Sequence, residues 1–196
     1  KYIEEAINGV LMQECDFDYE LIVANDHSVD DTNGVIQRIL LNHPKATSIN
    51  YLNRDTNLGM AHNFVDAFMR SRGKYIALCE GDDYWTDVSK LQKQVDFLEK
   101  NNDYSMVCHD ALVIDEVKGI SYPYFTPAHQ KQTCSTKDLF GIHFCPSASI
   151  LFRKQALQSF DFPDLKILAG DLLLKLLISL SGLIYRMYDV MSVYRI

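Results

Sequence analysis

Over its first hundred residues the chain alternates amphipathic helical patterns with short apolar runs, and this alternation constrains the fold more than any other feature. Ile3, Ile7, Val10 and Leu11 recur at helical spacing, and Tyr19 to Ala24 then reads as a buried strand. Asp30 and Asp31 stand where they can cap a second helix whose Val35, Ile36, Ile39 and Leu40 share one face, closed by Pro44. Ile49 to Leu52 makes a short strand. Ala61, Phe64, Val65, Phe68 and Met69 make a third amphipathic helix ending before Gly73. Lys74 to Cys79 is a further strand, and Val88, Leu91, Val95 and Leu98 mark a fourth helix that begins near Thr86. Short connections between such elements predict right-handed βαβ units on a largely parallel sheet, an α/β fold.

The second half is less regular. Met106 to Ile114 and Ser147 to Phe152 read as strands, and Ser121 to Thr133, with Pro123 and Pro127, reads as a loop. A helical pattern runs from Asp164 to Ser181, and strand-like segments follow from Leu183 to Tyr194. This predicts a mixed sheet with an elaborated second face. A chain of 196 residues without repeats or linkers is most simply one domain.

Composition excludes some classes. A formal charge of −7 argues against a nucleic-acid or anionic-membrane surface, which needs a basic patch. The cysteines, Cys15, Cys79, Cys108, Cys134 and Cys145, are odd in number and lack C-x-x-C spacing. They fit buried thiols in a reducing cytoplasm better than a disulfide framework or a zinc site. No signal peptide is visible, and the longest apolar stretch, Leu172 to Tyr185, is broken by Lys175 and too short to span a membrane. The chain opens at Lys1 inside a helical pattern and stops at Ile196 without a terminating signal, the look of a fragment lacking a first strand and a C-terminal extension.

Four constellations can carry chemistry. Glu80-Gly81-Asp82-Asp83-Tyr84-Trp85 follows the Tyr75–Cys79 run, so its carboxylates sit at the carboxyl end of a buried strand. In open α/β sheets ligands bind at that edge, and hard cations such as Mg²⁺ or Mn²⁺ take carboxylate ligands there beside substrate phosphates. Asp82 and Asp83 are neighbours and face opposite sides, so one can serve a cation and the other a ribose hydroxyl. The alternative is a solvated acidic turn. Asp26, at the end of the Val23 strand, can accept from a ribose hydroxyl or a base N–H, or it can make an Asx-turn. Asn57-Leu58-Gly59, with His62 and Asn63 beyond, can offer a helix N-terminus to a phosphate or simply cap that helix. Asp171 heads the apolar Leu172-Leu173-Leu174 helix, either as its cap or as a partly desolvated general base. There is no G-x-S-x-G, no Walker loop and no Cys–His signature.

Three blocks together resemble family 2 glycosyltransferases of the GT-A fold. Glu20 through Thr32 is similar to the family's "EIIVVDDGSTDDT". Asn57-Leu58-Gly59, continuing through Gly73-Lys74-Tyr75-Ile76-Ala77 to Gly81-Asp82-Asp83, resembles "NxG…GxYIaxxDxDD". Gly170-Asp171-Leu172 with Val193-Tyr194-Arg195 resembles "ED…YR". The resemblance implies a GT-A-like nucleotide-sugar-binding fold, with about 1–105 as the nucleotide-binding half and about 106–196 as the acceptor-binding half. It implies that Asp26 contacts the base, Asp82 the ribose and Asp83 the metal on the diphosphate, with Asp171 as catalytic base. Asn57, His62 and Asn63 would line the donor site. The family's first strand, with its "PTYN"-like end, lies outside these residues. Asn25 replaces the first acid of "DDGS", and Gly170 replaces the Glu before the base.

The implied reaction is inverting sugar transfer from a nucleoside diphosphate sugar to a saccharide or glycolipid-linked acceptor. Mn²⁺ or Mg²⁺ would assist, and Trp85 is placed to stack on the acceptor or else to pack the core. Peripheral attachment of the whole protein to the inner face of a membrane stays open. The competing readings are a catalytically silent nucleotide-binding domain and a sugar nucleotidyltransferase, although the Gly-rich basic loop of the latter is absent.

Overall fold

In a computed structural model, residues 2–125, 131–140, 145–158 and 171–196 are described. The expected alternation holds. Helix α1 (Ile3–Leu11) leads to strand β1 (Leu21–Asn25), helix α2 (Thr32–Asn42) and strand β2 (Ile49–Asn53). Helix α3 (Met60–Arg70), strand β3 (Tyr75–Ala77), strand β4 (Tyr84–Trp85) and helix α4 (Lys90–Lys100) follow. The second half contributes β5 (Tyr104–Asp115), β6 (Ile120–Pro123), β7 (Thr133–Cys134), β8 (Leu151–Arg153), α5 (Gln155–Gln158), α6 (Asp171–Ser179) and β9 (Leu183–Arg195).

The sheet corrects the largely parallel expectation. β1 and β2 pair in parallel, as a βαβ unit must, and form a sheet of their own. A second sheet has the order β3-β8-β5-β9-β4, and within it only β5 and β9 are parallel. β3 with β8, β8 with β5 and β9 with β4 are all antiparallel, as are the flanking β6 and β7. Helical periodicity identifies elements but not which distant strand inserts beside which. β8 enters between β3 and β5, and β9 returns beside β5, so strands from the second half set the pairing. Helix α4 starts later than expected because Tyr84 and Trp85 are drawn into a ladder with Val193 and Ser192.

Strand alternation sorts the core onto two faces. Val107 and Leu151 point to the side of α1 and α4, where they join Val10, Trp85, Leu91 and Leu98. Met106, Cys108 and Phe152 point to the other side, onto Phe68, Leu174 and Ile178 from α3 and α6. Around the smaller sheet, Ile7 and Leu11 of α1 and Ile36 and Ile39 of α2 bury Val23. Gln13, 1% exposed, ties the end of α1 to the start of α4. Its amide donates to the Asp87 carbonyl at 2.8 Å and accepts from the Leu91 N–H at 3.0 Å.

The two sheets share no ladder among the described residues. Between them lies a cavity of about 1250 Å³, walled by Leu21, Ile22 and Ala24 of β1, by Tyr75 to Ala77 of β3, and by Phe64, Ala67 and Phe68 of α3. Asp26, Asn57, Asn63 and Glu80 stand at its polar edge.

Candidate functional site

Each carboxylate singled out in the first half stands at the end of a strand. Asp26 follows β1, and its two oxygens are taken by main-chain donors of the loop before α3. The Leu58 N–H donates to Oδ1 at 2.7 Å and the Gly59 N–H to Oδ2 at 2.9 Å. Asn57 returns the contact, its amide donating to the Asp26 carbonyl at 3.0 Å while its own Oδ1 accepts from Gly59 at 3.0 Å. The loop follows a path open to glycine, since Gly59 has φ 84° and ψ 151°. Gly59, not Asn57, is the N-cap residue of α3.

Asn63, one turn into α3, donates to the Ala24 carbonyl at 3.0 Å and accepts from Arg54 Nε at 3.3 Å. It therefore fastens the helix to the end of β1. His62 is exposed and stands between the wall residues Ala61 and Asn63 without joining the wall.

The acidic turn after β3 gathers three carboxylates rather than two. Oxygens of Glu80, Asp82 and Asp83 lie within 4.8 Å of one another. Glu80 and Asp82 are exposed, whereas Asp83 is 1% exposed. Neighbours in an extended segment would face opposite sides, but the turn brings the two carboxylates side by side, one buried and one solvated. The sequence left Glu80 without a task, because an acid three residues ahead of Asp83 is brought beside it only by the turn. The turn closes through the Asp83 N–H, which donates to the Glu80 carbonyl at 3.2 Å. Asp83 Oδ1 accepts from the main-chain N–H of Arg195 at 2.9 Å. An all-oxygen set of this kind suits a hard divalent cation.

Trp85 corrects the acceptor-stacking expectation. It is 3% exposed, and its indole N–H donates to the Ala148 carbonyl at 2.8 Å. Gly9 of α1 packs against its backbone so closely that a Cβ there would meet the Trp85 nitrogen at 2.8 Å. The ring is a core element because β4 joins the ladder with β9 and turns this side chain inward. Behind it lies Lys90, fully buried, with Nζ 3.9 Å from the ring centroid and 2.8 Å from Gln94 Oε1. Burial pushes the Lys90 amine down to about 7. Burial likewise drives His109, with the nearby Lys90 adding to it, down to about 3, and raises the Cys79 thiol to about 12.

Asp171 begins α6, as a capping or catalytic acid at a helix start would. Its side chain and Gly170 lie outside the described residues.

Residues 1–160 match the family model described as Glycosyl transferase family 2. An uncharacterized protein of Mycobacterium tuberculosis, Rv1520, is 34% identical over 195 residues, covering 100% of this chain and 55% of its own length. An uncharacterized glycosyltransferase of Methanocaldococcus jannaschii, MJ1057, is 25% identical over 173 residues, 87% of this chain and 57% of that protein. This chain thus spans about half the length of these curated relatives. Among solved structures, S. aureus TarS 1-349 in complex with UDP-GlcNAc superposes with a TM-score of 0.76 at 17% identity, covering 100% of this chain and 55% of that one. The mannosyltransferase PcManGT from Pyrobaculum calidifontis, in complex with GDP-Man and Mn²⁺, superposes at 0.66 with 16% identity, covering 98% and 52%. These neighbours share the GT-A fold, and the α/β architecture here is of that kind.

Proposed function

Because this chain belongs to glycosyltransferase family 2, we propose that the whole protein transfers a sugar from a nucleoside diphosphate sugar to an acceptor hydroxyl with inversion. The observation that carries the reading is the convergence of Glu80, Asp82 and Asp83 in the turn after β3, where Glu80 reaches the cavity that Asp26 also lines. Support comes from the neighbours, one holding UDP-GlcNAc and another GDP-Man with Mn²⁺.

Buried Asp83 is the anchor for Mn²⁺ or Mg²⁺, with Glu80 as its second carboxylate. The donor set fits, because three hard oxygens converge where a diphosphate can fill the remaining positions. A bound ion supplies Lewis-acid neutralisation of the charge that builds on a departing diphosphate. Exposed Asp82 accepts from the ribose hydroxyls. Asp26 keeps lone pairs beyond the two it gives to Leu58 and Gly59, and with them it receives a base N–H. Asn57 and Asn63 hold the loop that lines the donor site, with His62 at its rim. Asp171 takes the acceptor proton as that hydroxyl attacks the anomeric carbon from the face opposite the diphosphate, and a single displacement inverts the centre.

In this reading residues 1–105 bind the donor and residues 106–196 meet a saccharide or glycolipid-linked acceptor, all within one domain. The interval between β1 and β3 has the apolar walls and facing strand edges that a further parallel strand of the whole protein would pair with. The protein works in the reducing cytoplasm, where all five cysteines stay free thiols. No helix among the described residues is long and apolar enough to cross a membrane.

The test is Mn²⁺-dependent hydrolysis of, or transfer from, UDP-, GDP- and dTDP-sugars by the full-length protein. Turnover of one donor with release of the nucleoside diphosphate is expected. Donor binding with no turnover would point to a silent nucleotide-binding module, and pyrophosphate release to a nucleotidyltransferase. Asp171→Asn should keep donor binding and lose about 10²–10⁴-fold in turnover. Unchanged turnover would sink its assignment as base.

A further inference from the structure

The last strand sends one residue into the acidic turn, and that residue has no role in the site so far described. The Arg195 side chain is only 11% exposed. Its main-chain N–H donates to Asp83 Oδ1 at 2.9 Å, and its guanidinium donates to the main-chain carbonyl of Asp82. The same guanidinium donates to Glu5 Oε2 of α1 at 2.6 Å and lies 3.6 Å from Glu116 Oε1 at the end of β5. Its central carbon stands 4.5 Å from the Tyr2 ring centroid and 4.7 Å from that of Tyr84. The Tyr2 hydroxyl in turn donates to Glu116. One residue therefore grips Asp82 and Asp83, two of the three acids of the turn, and ties them to the first turn of α1, to β4 and to the end of β5.

This arrangement matters for chemistry because of what it immobilises. Asp82 is exposed and sits on a turn, so its direction depends on how the peptide planes on either side of it are held. A guanidinium bonded to the Asp82 carbonyl fixes the following peptide plane, the one that leads into Asp83. The N–H of the same residue fixes the Asp83 carboxylate. The guanidinium fork is planar and stacks on aromatic rings, so it can satisfy a carbonyl, a carboxylate and two ring faces at once. A lysine ammonium is a point charge and cannot hold that geometry. The two carboxylates around the guanidinium also keep its charge occupied beside the acidic turn.

We propose that Arg195 is a positioning residue for the acidic turn, holding Asp83 so that its carboxylate and that of Glu80 converge on a divalent cation while Asp82 is aimed at the ribose beside it. The proposal rests on the metal-assisted reading above. It also makes cation binding depend on the end of β9 and on the docked start of α1, two elements at opposite ends of the chain.

The experiment titrates Mn²⁺ with UDP and with GDP into the full-length protein, comparing wild type with Arg195→Ala and Arg195→Lys by calorimetry. Amide hydrogen exchange is followed over residues 80–85 and 57–59 in the same proteins. Arg195→Ala should weaken Mn²⁺-dependent nucleotide binding by about 10–100-fold, the usual size for a residue that orients metal ligands. Arg195→Lys should recover part of that loss, and metal-free nucleotide binding should not move. Exchange should quicken over 80–85 and stay as in wild type over 57–59. Should Arg195→Ala not fold, Glu5→Gln loosens the guanidinium from outside the turn and should shift Mn²⁺-dependent binding the same way by about 2–5-fold. A folded Arg195→Ala protein with wild-type Mn²⁺ dependence and exchange would overturn the proposal. If wild type binds nucleotide without regard to Mn²⁺, or binds neither nucleotide, the metal-assisted reading fails by itself. The exchange comparison then decides on Arg195, and unchanged exchange over 80–85 rejects it.

Discussion

Asp26 and Asp83 are both acids beside a strand end, Asp26 directly after β1 and Asp83 directly before β4, yet they are held in different ways. Asp26 is held by two N–H groups, of Leu58 and Gly59, from the loop that begins the next helix but one. Its partners belong to the same β1-α2-β2 neighbourhood, and the loop reaches it through the backbone that glycine permits. Asp83 is held by the N–H of Arg195, 112 residues further along the chain. The Asp26 corner can form from one contiguous segment, whereas the acidic turn is complete only after β9 has docked against β4. Two acids of similar appearance in the sequence therefore depend on different amounts of the chain.

The largest expected effect falls on the acidic turn. Asp83→Asn removes the buried charge that anchors a cation and should weaken Mn²⁺-dependent nucleotide binding by about 100-fold or more, read by calorimetry. The same substitution should leave the Asp26 corner intact, as judged by unchanged hydrogen exchange at Leu58 and Gly59. Equal loss at both corners would show that they are one unit after all.

Gly59→Ala tests the other corner. A Cβ at this position meets nothing within 4 Å, so any cost arises from the backbone alone. At φ 84° and ψ 151° that cost is about 1–3 kcal/mol, measurable by denaturant unfolding. Asp26→Ala should cost about 0.5–1.5 kcal/mol through the loss of the hydrogen bonds from two loop N–H groups, and it should weaken nucleotide binding with or without Mn²⁺. An effect confined to the Mn²⁺-dependent part would contradict its placement at the base.

The smallest effect involves neither corner. Lys90 is buried beneath Trp85 with its amine pushed down to about 7, against 10.5 when unfolded. Between those values the unfolded chain binds more protons than the folded one, so stability rises with pH. His109, held near 3, acts in the same direction below its unfolded value of 6.5, costing stability as pH falls. Stability should thus climb from neutral to mildly alkaline pH. Lys90→Met should flatten that climb and leave neutral-pH stability equal or higher by about 1 kcal/mol, since buried charges are often replaced without loss. A steeper climb in the variant would refute the assignment to Lys90.

Much of the site was legible because strand ends can be read from periodicity. The apolar runs before Asp26 and before Glu80 placed both acids beside strand ends, and helical spacing placed Asn63 in the first turn of α3, although Gly59 rather than Asn57 caps that helix. Glu80 was missed because only the turn, closed by the Asp83 N–H on the Glu80 carbonyl, swings it beside Asp83. Of the two roles open to Trp85, acceptor stacking and core packing, burial selects the second. Its partners Ala148, Gly9 and Lys90 are scattered over 140 residues and have no local signature. Arg195 stands in the block that resembles "ED…YR", but its contacts with Asp82 and Asp83 have no local signature, for the same reason.

Local pattern alone determined that this chain alternates helix and strand, and that its acids stand at strand ends, because periodicity and turn chemistry act over a few residues. Tertiary structure decided the antiparallel insertion of β8 and the return of β9 beside β5. It also decided the inward turn of Trp85 and the grip of Arg195 on Asp82 and Asp83. Those outcomes rest on which distant backbone edges find each other, and the spacing of residues along one segment carries no record of that choice.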